Sequence, residues 1–210
     1  MVLLCSTPAF ARDGFSVSLG LGGGVWHLDA GSLSSSLQEI NRPGAEGGLL
    51  TRSLADGLAV RFSMTYAIRG YASVEIGMTG HGWNLGGDDL GGSGHVSLVA
   101  HFHPLQFWFP EREVDATVFL GGGYSILGGG QSDDDNSRGL DGGMLEFGFS
   151  GRYFFTPWMS LGGEVRFTVP VYQRWFVDWS NDVEFDLDSA PDALFVALLA
   201  TVSFHFSPAN

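Results

Sequence analysis

From Phe15 onward the sequence repeats one pattern, in which segments of about ten residues alternate apolar with small or polar side chains and end at Gly, Asp, Ser or Pro. Alternation with a period of two places successive side chains on opposite faces of an extended chain, so it predicts β-strands. In the clearest segment, Leu161 to Val171, the odd positions are apolar or glycine and the even positions include Glu164, Arg166 and Thr168. Charged side chains cannot face the apolar core of a soluble sandwich unpaired. This second face must therefore meet other polar groups or water.

The pattern predicts eight strands, an even number that permits antiparallel closure into a cylinder. The predicted strands are 14–27, 57–68, 71–84, 93–103, 115–128, 142–155, 160–176 and 193–206. Long connections, at 28–56, 85–92, 129–141 and 177–192, alternate with shorter ones at 69–70, 104–114 and 156–159. Strands that are apolar outside and polar inside, with long loops at one end, are typical of outer-membrane barrels. The predicted fold is therefore all-β, an eight-stranded antiparallel up-and-down transmembrane β-barrel.

Composition agrees with this fold and excludes other classes. The 32 glycines suit the tight coiling of a small barrel, in which they let strands approach closely. The longest apolar run, Ala193 to Ala200, has eight residues, whereas a membrane-spanning helix needs about 20. The net charge is −13 and the sequence contains no lysine, so we expect no nucleic-acid partner. Acidic residues concentrate in the long connections, where we expect solvated loops.

The first 11 residues are predicted to be a truncated secretion signal peptide. They form a short apolar stretch that ends in Ala9-Phe10-Ala11, an A-x-A processing site. Cleavage after Ala11 would leave residues 12–210 as one barrel domain and would remove Cys5, the single cysteine of the chain. The mature domain is then expected to be stable without disulfides.

These features together resemble the small outer-membrane barrel families of Gram-negative bacteria, among them the OmpA transmembrane domain, OmpX and OmpW. The resemblance covers nearly all of residues 12–210, and Phe204 and Phe206 match the alternating aromatics of the C-terminal assembly signal. Thr201 departs from it, since glycine is common at that position. The resemblance implies a Gram-negative outer-membrane location, insertion by the barrel assembly machinery, and contact with outer-membrane lipid and lipopolysaccharide. It implies no cofactor and no particular extracellular ligand.

The inward faces of the predicted strands carry large polar side chains, from which we predict a lumenal polar network. Its predicted members are Arg61, Glu75, His95, His101, Glu146, Arg152, Glu164, Arg166, Tyr172 and Arg174. If the sixth and seventh strands pair with Phe155 opposite Leu161, Arg152 falls opposite Glu164 and the two form an ion pair. An eight-stranded barrel is only wide enough for side chains to fill, so this network predicts a closed lumen.

Two other patterns admit catalytic or metal chemistry. His95-Val96-Ser97 matches the H-x-S arrangement of the outer-membrane lipid A deacylases, but alternation turns both polar side chains inward, away from acyl chains in the bilayer. His101 and His103 share a face and could bind metal only with ligands from neighbouring strands. For both patterns, lumenal hydrogen bonding is the favoured interpretation.

Two patterns in the long connections admit a calcium loop and a short helix. Asp133-Asp134-Asp135 could hold calcium but lacks the spacing of a calcium loop, so no metal site is predicted there. Residues 33–40 have the spacing of a short helix that would lie across the outer mouth, and a flexible loop is the alternative.

The sequence therefore predicts a non-catalytic outer-membrane protein with a structural or surface-interaction role, displaying acidic extracellular loops. A porin-like narrow channel for small solutes is the first alternative. A lipid A-modifying acyl hydrolase is the second.

Overall fold

The structure is a computed structural model that describes residues 14–29, 54–68, 71–86, 89–108, 113–130, 138–177, 183–187 and 189–206. These ranges contain nine strands and one short helix. The strands are β1 (Gly14–Leu28), β2 (Leu54–Ile68), β3 (Ala72–Gly86), β4 (Asp89–Phe102), β5 (Val114–Gly130), β6 (Arg138–Thr156), β7 (Met159–Val177), β8 (Val183–Asp186) and β9 (Ala193–Phe206), and the helix is α1 (Leu105–Trp108). In the described part of the chain, no helix is long and apolar enough to cross a membrane.

Eight of the strands close into a barrel. Each of β1 to β6 is hydrogen-bonded antiparallel to the strand that follows it in the chain. The barrel is completed by β9, which pairs with β7 on one side and with β1 on the other. The closing pair joins the two ends of the sheet, with Phe15 opposite Phe206 and Leu28 opposite Ala193. Closure leaves no free edge among these eight strands, which satisfies the backbone groups that would otherwise face lipid. The predicted eight-stranded antiparallel barrel is confirmed.

The strands are longer than predicted at one end of the barrel. The predicted connection 85–92 is largely strand, because β3 continues to Gly86 and β4 begins at Asp89. The one described strand outside the barrel, β8, lies inside the predicted connection 177–192 and pairs with β7 over Arg174–Val177. Ladder bonds use backbone groups only, so pairing continues through Gly- and Asp-rich segments whose side chains predict loops. The short segments considered at 33–40 and 133–135 lie outside the described residues.

The barrel has two different ends, here named the turn end and the loop end. The turn end holds Gly14, Phe206 and the connections after β2, β4 and β6. The loop end holds the connections after β1, β3, β5 and β7. At the turn end, part of the predicted connection 104–114 forms α1, and its Trp108 side chain is exposed.

Side-chain direction alternates along every barrel strand. On β2, Arg61, Ser63 and Thr65 are buried in the lumen, whereas Phe62 and Met64 between them are exposed. Large apolar side chains are exposed on all sides of the barrel, including Leu19, Phe62, Ile76, Leu98, Leu120, Phe147, Leu161 and Leu198. A continuous apolar outer surface of this kind marks contact with lipid. The buried core of the protein is therefore the lumen itself.

Candidate functional site within the barrel lumen

Five charged side chains meet at mid-height in the lumen, contributed by β2, β3, β6 and β7. This central charge cluster consists of Arg61, Glu75, Glu146, Glu164 and Arg166. Every member is at most 7% exposed. They arrive there because each occupies an inward position of a strand whose alternate residues face lipid, and because eight strands leave a narrow interior. Strands that are far apart in sequence thus place their charges in one small volume.

Arg166 joins the cluster together. Its Nη2 atom lies 2.6 Å from Glu75 Oε1, its Nη1 atom 3.1 Å from Glu146 Oε1 and its Nε atom 3.0 Å from Glu164 Oε1. One guanidinium therefore contacts three carboxylates from three strands. Its carbon centre also stands 4.4 Å from the centroid of the Phe119 ring, a cation–π contact that covers one face.

Arg61 approaches the same carboxylates from β2. Its Nη2 atom lies 2.6 Å from Glu75 Oε1, and its Nη1 atom donates a hydrogen bond of 2.6 Å to Thr79 Oγ1. Longer ion pairs of 3.8 and 3.7 Å join it to Glu146 and Glu164. Burying a charged group costs roughly several kcal/mol unless partner charges and hydrogen bonds replace the lost water. The arginines and the carboxylates of the cluster therefore stabilise each other.

His101 lies beside this cluster on β4. Its Nε2 atom is 3.5 Å from Glu75 Oε1, and its ring packs on Phe119 with centroids 5.1 Å apart. The ring of His103 is 6.4 Å away but binds a different carboxylate, since its Nδ1 atom lies 2.7 Å from Asp115 Oδ2. No group of three or more His, Cys, Asp or Glu side chains suited to a metal ion occurs among the described residues.

An aromatic plug fills the lumen at the loop end. Its principal members are Trp26, Trp83, Tyr172, Trp175 and Phe195, each at most 5% exposed. The rings of Trp26 and Trp83 are stacked, with centroids 5.7 Å apart and planes at 13°. Tyr172 was predicted from the sequence as a polar lumenal residue, whereas the three tryptophans were not predicted. A signal was present, because Trp83 lies two residues after His81 and four after Thr79 on the inward face of β3.

His95 lies between the plug and the central charge cluster. Its Nδ1 atom is 3.0 Å from Ser125 Oγ, its Nε2 atom is 3.2 Å from Ser93 Oγ, and its ring packs on Phe195. Both ring nitrogens are thus engaged by serines other than Ser97. The histidine–serine pair required for a lipid A deacylase is not formed, and both side chains are buried inside the barrel.

The predicted pairing of Arg152 with Glu164 is wrong by two residues of register. Tyr153 lies opposite Leu161, so Arg152 faces Gly162 and Glu164 faces Ser150. The tight turn at 157–158 and an irregularity of the ladder between Phe154 and Thr156 set this register. Arg152 points inward nearer the turn end, and Glu164 pairs with Arg166 instead.

Arg174 was predicted to belong to the lumenal polar network, but it lies apart from the central charge cluster. Asp141 pairs with Arg174 while Gly142 pairs with Tyr172, so Gln173 is an extra residue that forms a β-bulge. The bulge shifts the alternation of β7. The guanidinium of Arg174 accordingly contacts Asp141 at 2.9 Å and the Tyr124 hydroxyl at 2.8 Å at the loop end, on the outward side where Tyr124 is exposed.

Phe204 and Phe206, the predicted assembly residues, lie on the outer surface at the turn end. The Phe206 ring packs against Phe15 of β1 with centroids 6.1 Å apart, and Phe204 stacks on Trp158 at 6.5 Å. Both contacts bridge β9 to neighbouring elements. The last strand is therefore joined at its turn end to the strand that closes the barrel.

Comparison with solved structures gives the same fold. The chain superposes on Neisserial surface protein A with a TM-score of 0.58 and 16% identity, covering 92% of this chain and 98% of that one. The attachment invasion locus protein Ail of Yersinia pestis gives a TM-score of 0.51 at 12% identity, with 92% and 99% covered. OprG of Pseudomonas aeruginosa gives 0.51 at 12% identity, with 94% and 99% covered. No protein-family profile and no curated protein sequence matches the chain.

The fold and the lumen define the class of protein. The chain has the fold of the small Gram-negative outer-membrane β-barrels with eight strands, as predicted from its alternation pattern. At these identities the likeness is one of fold, and activity has to be argued from the lumen and the surface.

Proposed function

We propose that the protein is a sealed outer-membrane barrel that acts as a structural or surface-interaction scaffold and displays acidic extracellular loops. The filled lumen supports this function best. From the loop end inward it holds the aromatic plug, then His95 with its serines, then the central charge cluster. Cavities within the lumen that are lined by described residues include two with volumes of only about 30 and 10 Å³. Such volumes hold a few water molecules at most.

The channel alternative requires a continuous aqueous path. The central charge cluster blocks such a path at mid-height, because its members bond each other across the lumen rather than leaving their charges free to solvate a solute. The stacked Trp26 and Trp83 rings and Trp175 close the loop end above it. The hydrolase alternative is disfavoured because His95 and Ser97 are buried and do not bond each other.

Planar-bilayer recording tests this proposal directly. Purified full-length protein, inserted into bilayers, is expected to show negligible steady conductance, because the plug and the cluster together exclude ions. A general porin recorded in the same bilayers serves as the positive control, and circular dichroism of the sample verifies that the inserted protein is folded. Large, reproducible single-channel steps from the unmodified protein would replace the scaffold with the channel.

The partners expected from this location are those of any outer-membrane barrel. The outer apolar surface would contact lipid and lipopolysaccharide, and the outward pair Phe204 and Phe206 would be presented to the barrel assembly machinery during insertion. The loops would supply the surface for an extracellular partner, since acidic residues cluster in the connections at the loop end.

A further inference from the structure

Three side chains at the turn end form a hydrogen-bonded chain that the scaffold function does not use. Ser73 is the second residue of β3, His103 directly follows β4, and Asp115 is the second residue of β5. The Ser73 Oγ atom lies 2.9 Å from His103 Nε2, and His103 Nδ1 lies 2.7 Å from Asp115 Oδ2. These three neighbouring strands bring the residues together, and a backbone bond from His103 N–H to the Tyr71 carbonyl holds the histidine at the end of its strand.

The partners of His103 determine its tautomer. An ionised carboxylate only accepts hydrogen bonds, so the Nδ1 atom of His103 carries a proton and donates it to Asp115. In the neutral ring with this tautomer, the Nε2 atom carries the lone pair and can accept from the Ser73 hydroxyl. Gln106 donates to the second carboxylate oxygen of Asp115 at 3.1 Å and orients it. This is the order of nucleophile, general base and orienting acid found in hydrolytic triads.

The hydrogen-bonded residues Ser73, His103 and Asp115 border a cavity of about 30 Å³ at the turn end. Arg152 also lines it, and Gly14 and Phe206 place it at the mouth of the barrel. Among the described residues, no Asp or Glu carboxylate lies within 4.0 Å of the Arg152 guanidinium. Because Arg152 lines the cavity, its positive charge is near any anion formed there.

We propose that Ser73, His103 and Asp115 form an acyl-transfer site that takes small carboxylic esters from the turn end. Ser73 Oγ bonds to the carbonyl carbon and passes its proton to His103 Nε2, while the negative charge on the carbonyl oxygen faces Arg152. The bond to the leaving alkoxide then breaks and His103 returns the proton to it. Water releases the acid from Ser73 by the same two transfers. Because Ser73 is 2% exposed and the cavity is small, only an acyl group of about acetyl size enters it, and the alcohol portion of the ester stays outside at the mouth of the barrel.

The chain contains an internal control for this site. Ser160 Oγ lies 2.8 Å from His205 Nε2, also at the turn end, and Ser160 is fully buried. No Asp or Glu carboxylate of the described residues lies within 4.0 Å of the His205 ring. The two serine–histidine contacts differ in whether a carboxylate orients the base, and also in access, because Ser73 lines the cavity and Ser160 does not; the His103→Gln and Asp115→Asn variants separate these two effects.

The experiment compares acetylation of the two serines in one folded protein. The full chain in detergent micelles is incubated with p-nitrophenyl acetate, and peptide mass spectrometry follows acetyl-Ser73 and acetyl-Ser160 with time. We expect Ser73 to react at least about 100-fold faster, because only its histidine is held in the base tautomer by a carboxylate. His103→Gln and Asp115→Asn should each lower the rate at Ser73 by about the same factor, and Ser160→Ala should leave it unchanged.

Two results would overturn the proposal. Equal acetylation of Ser73 and Ser160 in the unmodified protein would make the three residues a structural chain that closes the turn end, and this comparison needs no variant to fold. Unchanged Ser73 labelling in folded His103→Gln protein, checked by circular dichroism, would mean the same. The bilayer recordings are independent of both results, so the scaffold function and this site can fail separately.

Discussion

At the scale of single residues, the lumen is stabilised by charges that depend on one another. Arg166 contacts Glu75, Glu146 and Glu164, and each of those carboxylates would be buried without sufficient partners if the guanidinium were removed. Removing one partner of a buried pair costs about 3–5 kcal/mol, most of which is the uncompensated charge that remains. Removing both partners leaves no such charge. The two kinds of substitution are therefore expected to differ in their effect on stability.

A double-mutant cycle on Glu75→Gln and Arg166→Met measures this dependence. Each single substitution is expected to lower the free energy of unfolding by about 3–5 kcal/mol, and the double substitution by at least about 1.5 kcal/mol less than the two effects together. Urea unfolding in detergent micelles or liposomes gives the four values. Arg174→Met combined with Glu75→Gln is the control, because Arg174 lies at the loop end with Asp141, and its effects should add within about 0.5 kcal/mol. Additive effects of Glu75→Gln and Arg166→Met, with coupling only in the control pair, would contradict this network.

At the scale of strands, glycine allows β4 and β5 to approach more closely than a side chain would permit. A Cβ atom on Gly123 would overlap the Val96 carbonyl oxygen of β4, and this backbone atom cannot move without breaking the ladder. Gly94, on β4, would meet nothing within 4 Å. Glycine thus has different consequences at these two positions.

Gly123→Ala is expected to destabilise the barrel, whereas Gly94→Ala is not. The first substitution overpacks a strand contact and should lower the free energy of unfolding by about 1–3 kcal/mol, while the matched substitution should change it by less than about 0.5 kcal/mol. The same urea titrations measure both, with the heat-dependent shift of folded protein on gels as a second readout. Equal effects at the two positions would show that β4 and β5 are not packed this closely.

At the scale of the whole molecule, the two ends of the barrel are different. The turn end has both terminal strand ends and the short connections after β2 and β6, whereas the loop end has the long connections after β1 and β7 and carries β8 beside β7. Long loops on outer-membrane barrels lie outside the cell and short turns face the periplasm. We therefore expect the acidic stretches at 133–141 and 178–192 to be extracellular.

Epitope insertion tests this orientation. A tag inserted after Asp134, which lies outside the described residues, should be labelled by antibody on intact cells, because that connection joins two strands at the loop end. A matched tag after Pro157, in the turn between β6 and β7, should be labelled only after the outer membrane is permeabilised. The opposite labelling pattern would invert the topology.

The alternation of side chains was sufficient to predict the barrel, since a period of two with one apolar and one charged face has few other stable arrangements. It also placed Arg61, Glu75, Glu146, Glu164 and Arg166 on inward faces, where the structure buries them. It could not predict which of them meet, because pairing across a barrel depends on register. The shift between Phe154 and Thr156 replaced the predicted Arg152–Glu164 pair with contacts to Arg166.

The rest was decided by tertiary structure alone. The bulge at Gln173 separates Arg174 from the cluster by shifting the alternation locally, and nothing in the sequence pattern marks it. The chain from Ser73 through His103 to Asp115 joins the ends of three strands, so its members are 12 to 42 residues apart in sequence and become neighbours only in the closed sheet. Periodicity determines which face each side chain takes. Register and closure determine what it touches, because they set the height of each residue along the barrel.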